Sequence, residues 1–251
     1  MSMDIPKGSG KHPITLIAIS ANQLAQSTTF YKKLFGWQGQ PVSKEVTAVM
    51  AKAGPAIVLR ADSPEGFPGV VPFIAVADVE AALKQVVAAG AKVERAPWKV
   101  PMAGTLARFK DPSGTIYGLT GTPPFPVPSI PMPFGSNPKP PAGTVASLEM
   151  YATDGEKSPE FFSREFGWGT RETMPQFVGF DPGAGICGVF QSHTPALPAV
   201  AYIYVENVEA SLTEIVAAGG IKTGGPMAMP GLGTFGYFTD PSGTHMGMIG
   251  P

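Results

Sequence analysis

The sequence predicts an α+β protein built from four βαβββ modules, and three observations carry that prediction. Asp111-Pro112-Ser113-Gly114-Thr115 recurs at Asp240-Pro241-Ser242-Gly243-Thr244, which marks the chain as an internal duplication. Phe35-Gly36-Trp37 recurs at Phe166-Gly167-Trp168, and Val79-Glu80-Ala81-Ala82-Leu83 is matched by Val208-Glu209-Ala210-Ser211-Leu212, in the same order and at nearly the same offset. Within each half the apolar periodicity runs strand, helix, several strands, and then restarts.

Taken in order, Ile14 to Ser20 is apolar and β-branched, as a strand requires, and Leu24 to Leu34 carries apolar residues at helical spacing before a stop at Gly36. Thr47 to Lys52 and Ala56 to Arg60 read as strands. Phe73 to Ala77 opens the second module; Asp78 caps a helix over Val79 to Ala89, with Gly90 just beyond it. Strands follow over Lys92 to Arg95, Thr105 to Lys110 and Ile116 to Leu119. The second half repeats the plan: Val145 to Tyr151, a helix opened by Ser158 and Pro159, strands near Phe177 to Phe180 and Gly185 to Phe190, then Ala199 to Val205, a helix over Val208 to Ala218, Thr234 to Thr239 and His245 to Ile249. Asp-Pro-Ser-Gly is the turn between the last two strands of each half: Asp caps, Pro fixes φ, and Gly takes a positive φ.

A chain of 251 residues is long enough for two domains with cores of their own. Nine prolines between Gly121 and Gly143 favour an extended connection. The expected division is therefore a first domain over 12–121, a proline-rich linker over 122–142 and a second domain over 143–251.

The net charge of −1 with scattered Lys and Arg gives no footprint for nucleic acid or an acidic membrane. There is no apolar run of spanning length, and the first eleven residues are polar, so the expectation is a cytoplasmic protein without membrane partners. The single cysteine, Cys187, precludes an intramolecular disulfide and reads as a small buried hydrophobe in an apolar strand. Gly8-Ser9-Gly10-Lys11 is followed by His12 and Pro13 rather than by a hydroxyl residue and a helix, so it is no phosphate loop; dinucleotide and nucleophile-elbow motifs are also missing.

The run Ser27-Thr28-Thr29-Phe30-Tyr31-Lys32-Lys33-Leu34-Phe35-Gly36-Trp37, its counterpart Pro159-Glu160-Phe161-Phe162 through Trp168, and the two Asp-Pro-Ser-Gly turns resemble the glyoxalase, bleomycin-resistance and extradiol-dioxygenase group, the vicinal oxygen chelate superfamily. The resemblance covers the chain apart from the N-terminal tail and the linker. It implies two glyoxalase-like open-barrel domains, each with a cavity where His, Gln or Glu side chains usually hold a divalent metal. Carried over position by position, the ligand sites fall on Leu16, Val71 and Gly118 in the first half and on Ser147, Val200 and Gly247 in the second. None is a metal-binding residue type, so the expectation is no metal and no other cofactor, with these six positions lining ligand cavities.

Strand parity places Glu149 with Ser147, Tyr202 with Val200, and His245 with Gly247. The first-half equivalents are Ala18, Phe73 and Ile116, so polarity is expected on the inner face of the second half alone. Glu149, Tyr202 and His245 could orient a polar ligand or move a proton as candidate catalytic residues, or could form a structural hydrogen-bond cluster. His12 and His193 read as solvated loop residues. The loops Pro101 to Thr105 and Pro230 to Thr234, with Trp98, Met102, Met227 and Met229, read either as a rim gripping a flat apolar ligand or as filling beneath a loop. Trp37 and Trp168 read as packing residues. The function expected is metal-independent binding of a small apolar or aromatic molecule by a monomer or homodimer. The alternative is a lyase- or dioxygenase-like enzyme using Glu149, Tyr202 and His245.

Overall fold

Each half of the chain contributes one eight-stranded mixed sheet, built from two βαβββ modules. The computed structural model describes residues 4–61, 69–100, 104–123, 127–133, 138–152, 157–192 and 199–251. In the first half the elements are β1 (Ile14–Ser20), α1 (Leu24–Phe35), β2 (Gln38–Pro41), β3 (Val46–Met50), β4 (Ala56–Arg60), β5 (Val70–Val76), α2 (Val79–Ala88), β6 (Lys92–Val100), β7 (Gly104–Lys110) and β8 (Ile116–Gly121). In the second they are β9 (Val145–Tyr151), α3 (Lys157–Phe166), β10 (Gly169–Met174), β11 (Phe177–Asp181), β12 (Gly188–Gln191), β13 (Ala199–Tyr204), α4 (Val208–Ala217), β14 (Ile221–Met229), β15 (Gly233–Thr239) and β16 (His245–Gly250). The strand orders are β2-β3-β4-β1-β5-β8-β7-β6 and β10-β11-β12-β9-β13-β16-β15-β14, which are identical module for module.

Local chemistry sets the element ends. Asp78 accepts from the N–H groups of Glu80 and Ala81 at the start of α2, and Asn207 accepts from Ala210 N–H at the start of α4. Gly36 closes α1 in the left-handed region, φ +72°, and its N–H donates to the Lys32 carbonyl. β2, β10 and β14 were not foreseen, and β2 shows why: Gln38 to Pro41 is exposed along its whole length, so it has no apolar alternation to detect.

Contacts divide the chain into two compact units, each assembled from both halves of the sequence. Unit 1 comprises Met1–Leu16, Val71–Ser129 and Glu149–Ala199; unit 2 comprises Ile17–Val70, Ile130–Leu148 and Val200–Pro251.

In unit 1, α3 packs its aromatic face on the end of the β7–β8 pair. Phe161 lies 6.2 Å from Phe109 and Phe162 lies 4.5 Å from Tyr117, centroid to centroid. Phe162 also stacks on Trp168 at 4.8 Å and on Phe190 at 5.4 Å, giving one continuous aromatic core. His12 is not a solvated loop residue, contrary to expectation. Its Nδ1 is 3.0 Å from the Ala75 carbonyl, its ring meets Phe166 edge-on, and its own carbonyl accepts from the Trp168 indole N–H at 2.9 Å.

In unit 2, α1 packs Phe30 and Phe35 against Phe238 of β15, at 6.1 and 6.2 Å. Tyr31 stacks on Trp37 at 4.7 Å, and the Trp37 indole N–H donates to the Gly143 carbonyl at 2.7 Å. Trp37 and Trp168 are thus buried packing residues in equivalent settings, each tethering the lead-in to a first strand.

Both Asp-Pro-Ser-Gly-Thr segments form the expected turn, and each does more. Asp111 Oδ1 accepts from Thr115 N–H at 2.8 Å, and Oδ2 accepts from the Ser158 hydroxyl of α3 at 2.6 Å. In unit 2, Asp240 Oδ1 accepts from Ser242 and Thr244 N–H, while Oδ2 accepts from the Ser27 hydroxyl of α1 at 3.0 Å. Thr115 and Thr244 each donate to a backbone carbonyl at the end of a first strand, Tyr151 and Ser20 respectively. The repeated motif is therefore a latch that holds a turn from one half of the chain to a helix of the other.

Candidate functional site

The site positions are read from the β13–β16 and β5–β8 pairings, which are parallel in both halves. Tyr202 is in register with Gly247, and Phe73 with Gly118. Each glycine is needed because the partner ring lies over it. A Cβ on Gly247 would stand 2.5 Å from the Tyr202 ring, and one on Gly118 would collide with the Phe73 ring. The last ligand position is therefore filled by an aromatic ring in both halves.

The other positions that the resemblance assigns to ligands supply no donor set. Val71 and Val200 are buried, while Leu16 and Ser147 are half-buried. Leu16, Val71 and Val200 offer hydrocarbon, Ser147 a neutral hydroxyl, and the glycines nothing; no group of three or more His, Cys, Asp or Glu converges among the described residues. These residues do not fit a divalent ion of the kind the superfamily binds.

On the second-half face in unit 2, the structure brings Tyr202 and His245 together through Tyr237, a residue that sequence reasoning missed. Tyr202 OH donates to Tyr237 OH at 3.0 Å, and the Tyr237 ring stacks on His245 at 5.8 Å and 19°. Tyr237 is in register with Gly247, so all three share one face. Burial holds the His245 imidazole below its ordinary pKa, which keeps it neutral at pH 7. A neutral imidazole beside two phenols can accept or relay a proton. Glu149 is half-buried on β9 and belongs to unit 1. Met229 is half-buried at the end of β14, where its carbonyl accepts from Leu232 N–H.

The expectation that polarity is confined to the second half is overturned in unit 1. Arg108 is in register with Gly118, so it shares the face of Phe73, and only 3% of its side chain is exposed. Its guanidinium grips Glu94 with a fork: Nε to Oε2 at 2.6 Å and Nη2 to Oε1 at 3.2 Å. Trp98, half-buried on β6, lies beside this pair, with the Arg95 guanidinium 4.0 Å from its ring centroid and that of Arg108 at 5.7 Å. Comparing only the positions equivalent to Glu149, Tyr202 and His245 missed this pair. The signal was there in Leu106-Ala107-Arg108-Phe109, a charge inside an apolar strand. Met102 and His193 lie outside the described residues.

Cys187 stands just before β12 rather than inside a strand, and is half-buried. Burial first, then Asp181, pushes its thiol up to about 12, so it is no nucleophile.

The model of the glyoxalase/bleomycin resistance protein/dioxygenase superfamily matches residues 14–116, and the second half repeats the same modules. Residues 14–116 belong to that superfamily. A relative from Mycobacterium tuberculosis, named "Putative glyoxylase CFP32", is 25% identical over 239 residues, covering 88% of both chains, and its counterpart from Mycobacterium bovis matches equally. Two solved structures share the fold of this chain at 14% identity. The Mn(II)-bound glyoxalase from Novosphingobium aromaticivorans has a TM-score of 0.67 and covers 98% of this chain and 83% of its own. The 2,3-dioxygenase LapB from Pseudomonas sp. KL28 also has a TM-score of 0.67, with 98% and 93% covered. Among the described residues no helix is long and apolar enough to cross a membrane.

Proposed function

We propose that this chain is a metal-independent binding protein for a small apolar or aromatic molecule. The observation that carries the reading is the aromatic ring seated over a glycine at the final ligand position of both halves, Phe73 over Gly118 and Tyr202 over Gly247. A position that elsewhere in the superfamily supplies a carboxylate is closed here by a buried ring, which offers a metal no donor. Trp98 adds a half-exposed indole flanked by Arg95, a combination that suits a planar ligand with acidic character. No cofactor and no nucleic-acid or membrane partner is part of the proposal, and a monomer or homodimer suffices.

Tryptophan fluorescence tests it directly. The chain has three tryptophans, and Trp37 and Trp168 are sealed at 1% and 2% exposure. Quenching by planar aromatic acids therefore reports on Trp98. Saturable quenching that survives chelator and is abolished in Trp98→Leu supports the reading. A stoichiometric divalent ion whose removal abolishes binding would sink it.

The Tyr202–Tyr237–His245 array favours a second reading, a lyase- or dioxygenase-like enzyme that uses Tyr202 and His245 for proton transfer, with Glu149 as a further candidate. Turnover of a dicarbonyl or catechol panel that falls at least tenfold in both Tyr202→Phe and His245→Ala would favour it over simple binding.

A further inference from the structure

Comparing the two latches residue by residue shows an exchange between helix and strand. Tyr31 of α1 is the equivalent of Phe162 of α3, since each stacks on the tryptophan after its helix, at 4.7 and 4.8 Å. Tyr117 of β8 is the equivalent of Met246 of β16, each two residues after the threonine of its latch. In unit 1 the phenol beside the latch aspartate comes from the strand, and Phe162 of the helix packs against it at 4.5 Å. In unit 2 the phenol comes from the helix, and Met246 occupies the strand position, directly across the ladder from Phe238. Met246 is fully buried on the face that receives Phe30 and Phe35. Tyr31 and Tyr117 are both sealed from solvent and feel the charge of Asp240 and Asp111 respectively. The Tyr117 hydroxyl has no hydrogen-bond partner among the described residues, while the Tyr31 hydroxyl faces the Asp240 carboxylate.

We infer that each unit holds a slot for one phenol, and that the exchange of Tyr31/Met246 for Phe162/Tyr117 is a key that makes the chain pair its halves with each other rather than with a second copy. The latch itself cannot discriminate. Ser27 and Ser158 bond their aspartates in the same way, Ser27 to Ser242 at 2.9 Å and Ser158 to Ser113 at 2.8 Å. A first half pairing with a first half from another chain would make the same serine–aspartate bonds, but it would drive Tyr31 and Tyr117 into one slot. A second half pairing with its own kind would place Phe162 against Met246 and leave the slot without a phenol. Overfilling at one latch and a void at the other both oppose the wrong pairing.

The test uses the full chain. Met246→Tyr alone puts a second phenol into unit 2 and is expected to lower the urea midpoint clearly. Tyr31→Phe with Met246→Tyr gives unit 2 the arrangement of unit 1 and is expected to recover at least half of that loss. The double variant also has no key, because every helix then presents Phe and every strand Tyr. Refolded from urea at high concentration and followed by size-exclusion light scattering, it is expected to form at least fivefold more exchanged dimer than the parent chain. Additive effects of the two substitutions on the midpoint would overturn the shared slot. An unchanged oligomer distribution in a double variant of recovered stability would overturn the key.

Discussion

Adding one methyl group at Gly118 measures how firmly Phe73 holds the vacated ligand position. A Cβ built there meets Cδ1, Cε1 and Cγ of the Phe73 ring, all closer than a real Cβ tolerates. Phe73 is 1% exposed, and its neighbours Val71 and Ile74 are fully buried, so the ring has little room to withdraw. Gly118→Ala should cost about 2–3 kcal/mol, the upper part of the usual overpacking range. Phe73→Ala alone removes a buried aromatic and should cost about 3–5 kcal/mol. In the double variant the new methyl group enters the space left by the ring, so the total should fall short of the sum by about 2 kcal/mol, a coupling typical of residues in contact. Urea denaturation of the four proteins of this cycle gives the coupling from midpoints at constant slope. A Gly118→Ala protein within about 0.5 kcal/mol of the parent, or an additive cycle at that precision, would refute the packing argument and with it the claim that the ring closes the position.

Two further outcomes are expected. Arg108→Met should cost about 2–4 kcal/mol because it strands Glu94, whose side chain is 18% exposed and only partly able to rehydrate; Arg108→Met with Glu94→Met should restore most of the loss in thermal melts, and no restoration would show that the pair itself is not what matters. Burial raises Asp111 from 3.8 to about 6 against its own hydrogen bonds, so the folded state favours the protonated acid: this contribution is complete below about pH 4 and is lost as pH rises through 6. The loss amounts to about 3 kcal/mol, so denaturation midpoints should fall mainly between pH 4 and pH 6, and less steeply in Asp111→Asn; an equal slope in both proteins would count against the assignment.

The repeated words of the chain were legible because their chemistry is local. Asp-Pro-Ser-Gly-Thr makes its turn from its own atoms, and Asp78 caps α2 with an oxygen two and three residues from its partners. The absence of ligand residue types at Leu16, Val71 and Gly118 could likewise be read by position alone. The reason for the glycine could not: Phe73 meets Gly118 through a parallel pairing whose register is set by an intervening helix and two strands. The Arg108–Glu94 fork was hidden for a related reason, since β6 and β7 shift register twice along their ladder, between Val93 and Arg95 and again between Arg95 and Trp98. Counting along the strands does not bring residues 94 and 108 together. The placement of His12 was missed because its partners, Ala75 and Phe166, are far away in sequence.

The division of each unit between distant stretches of chain has a consequence in time. The Asp111 turn leaves the ribosome before Ser158 and the aromatic face of α3 have been made. The Phe30 and Phe35 face of α1 waits longer still, for Phe238. Synthesis proceeds at about 5–20 residues per second, so apolar surface on α1 stays uncovered for on the order of ten seconds or more. Contacts of such long sequence separation also close slowly. The nascent first half is therefore the stage at which this protein is most exposed to aggregation, and the stage at which a chaperone would matter most.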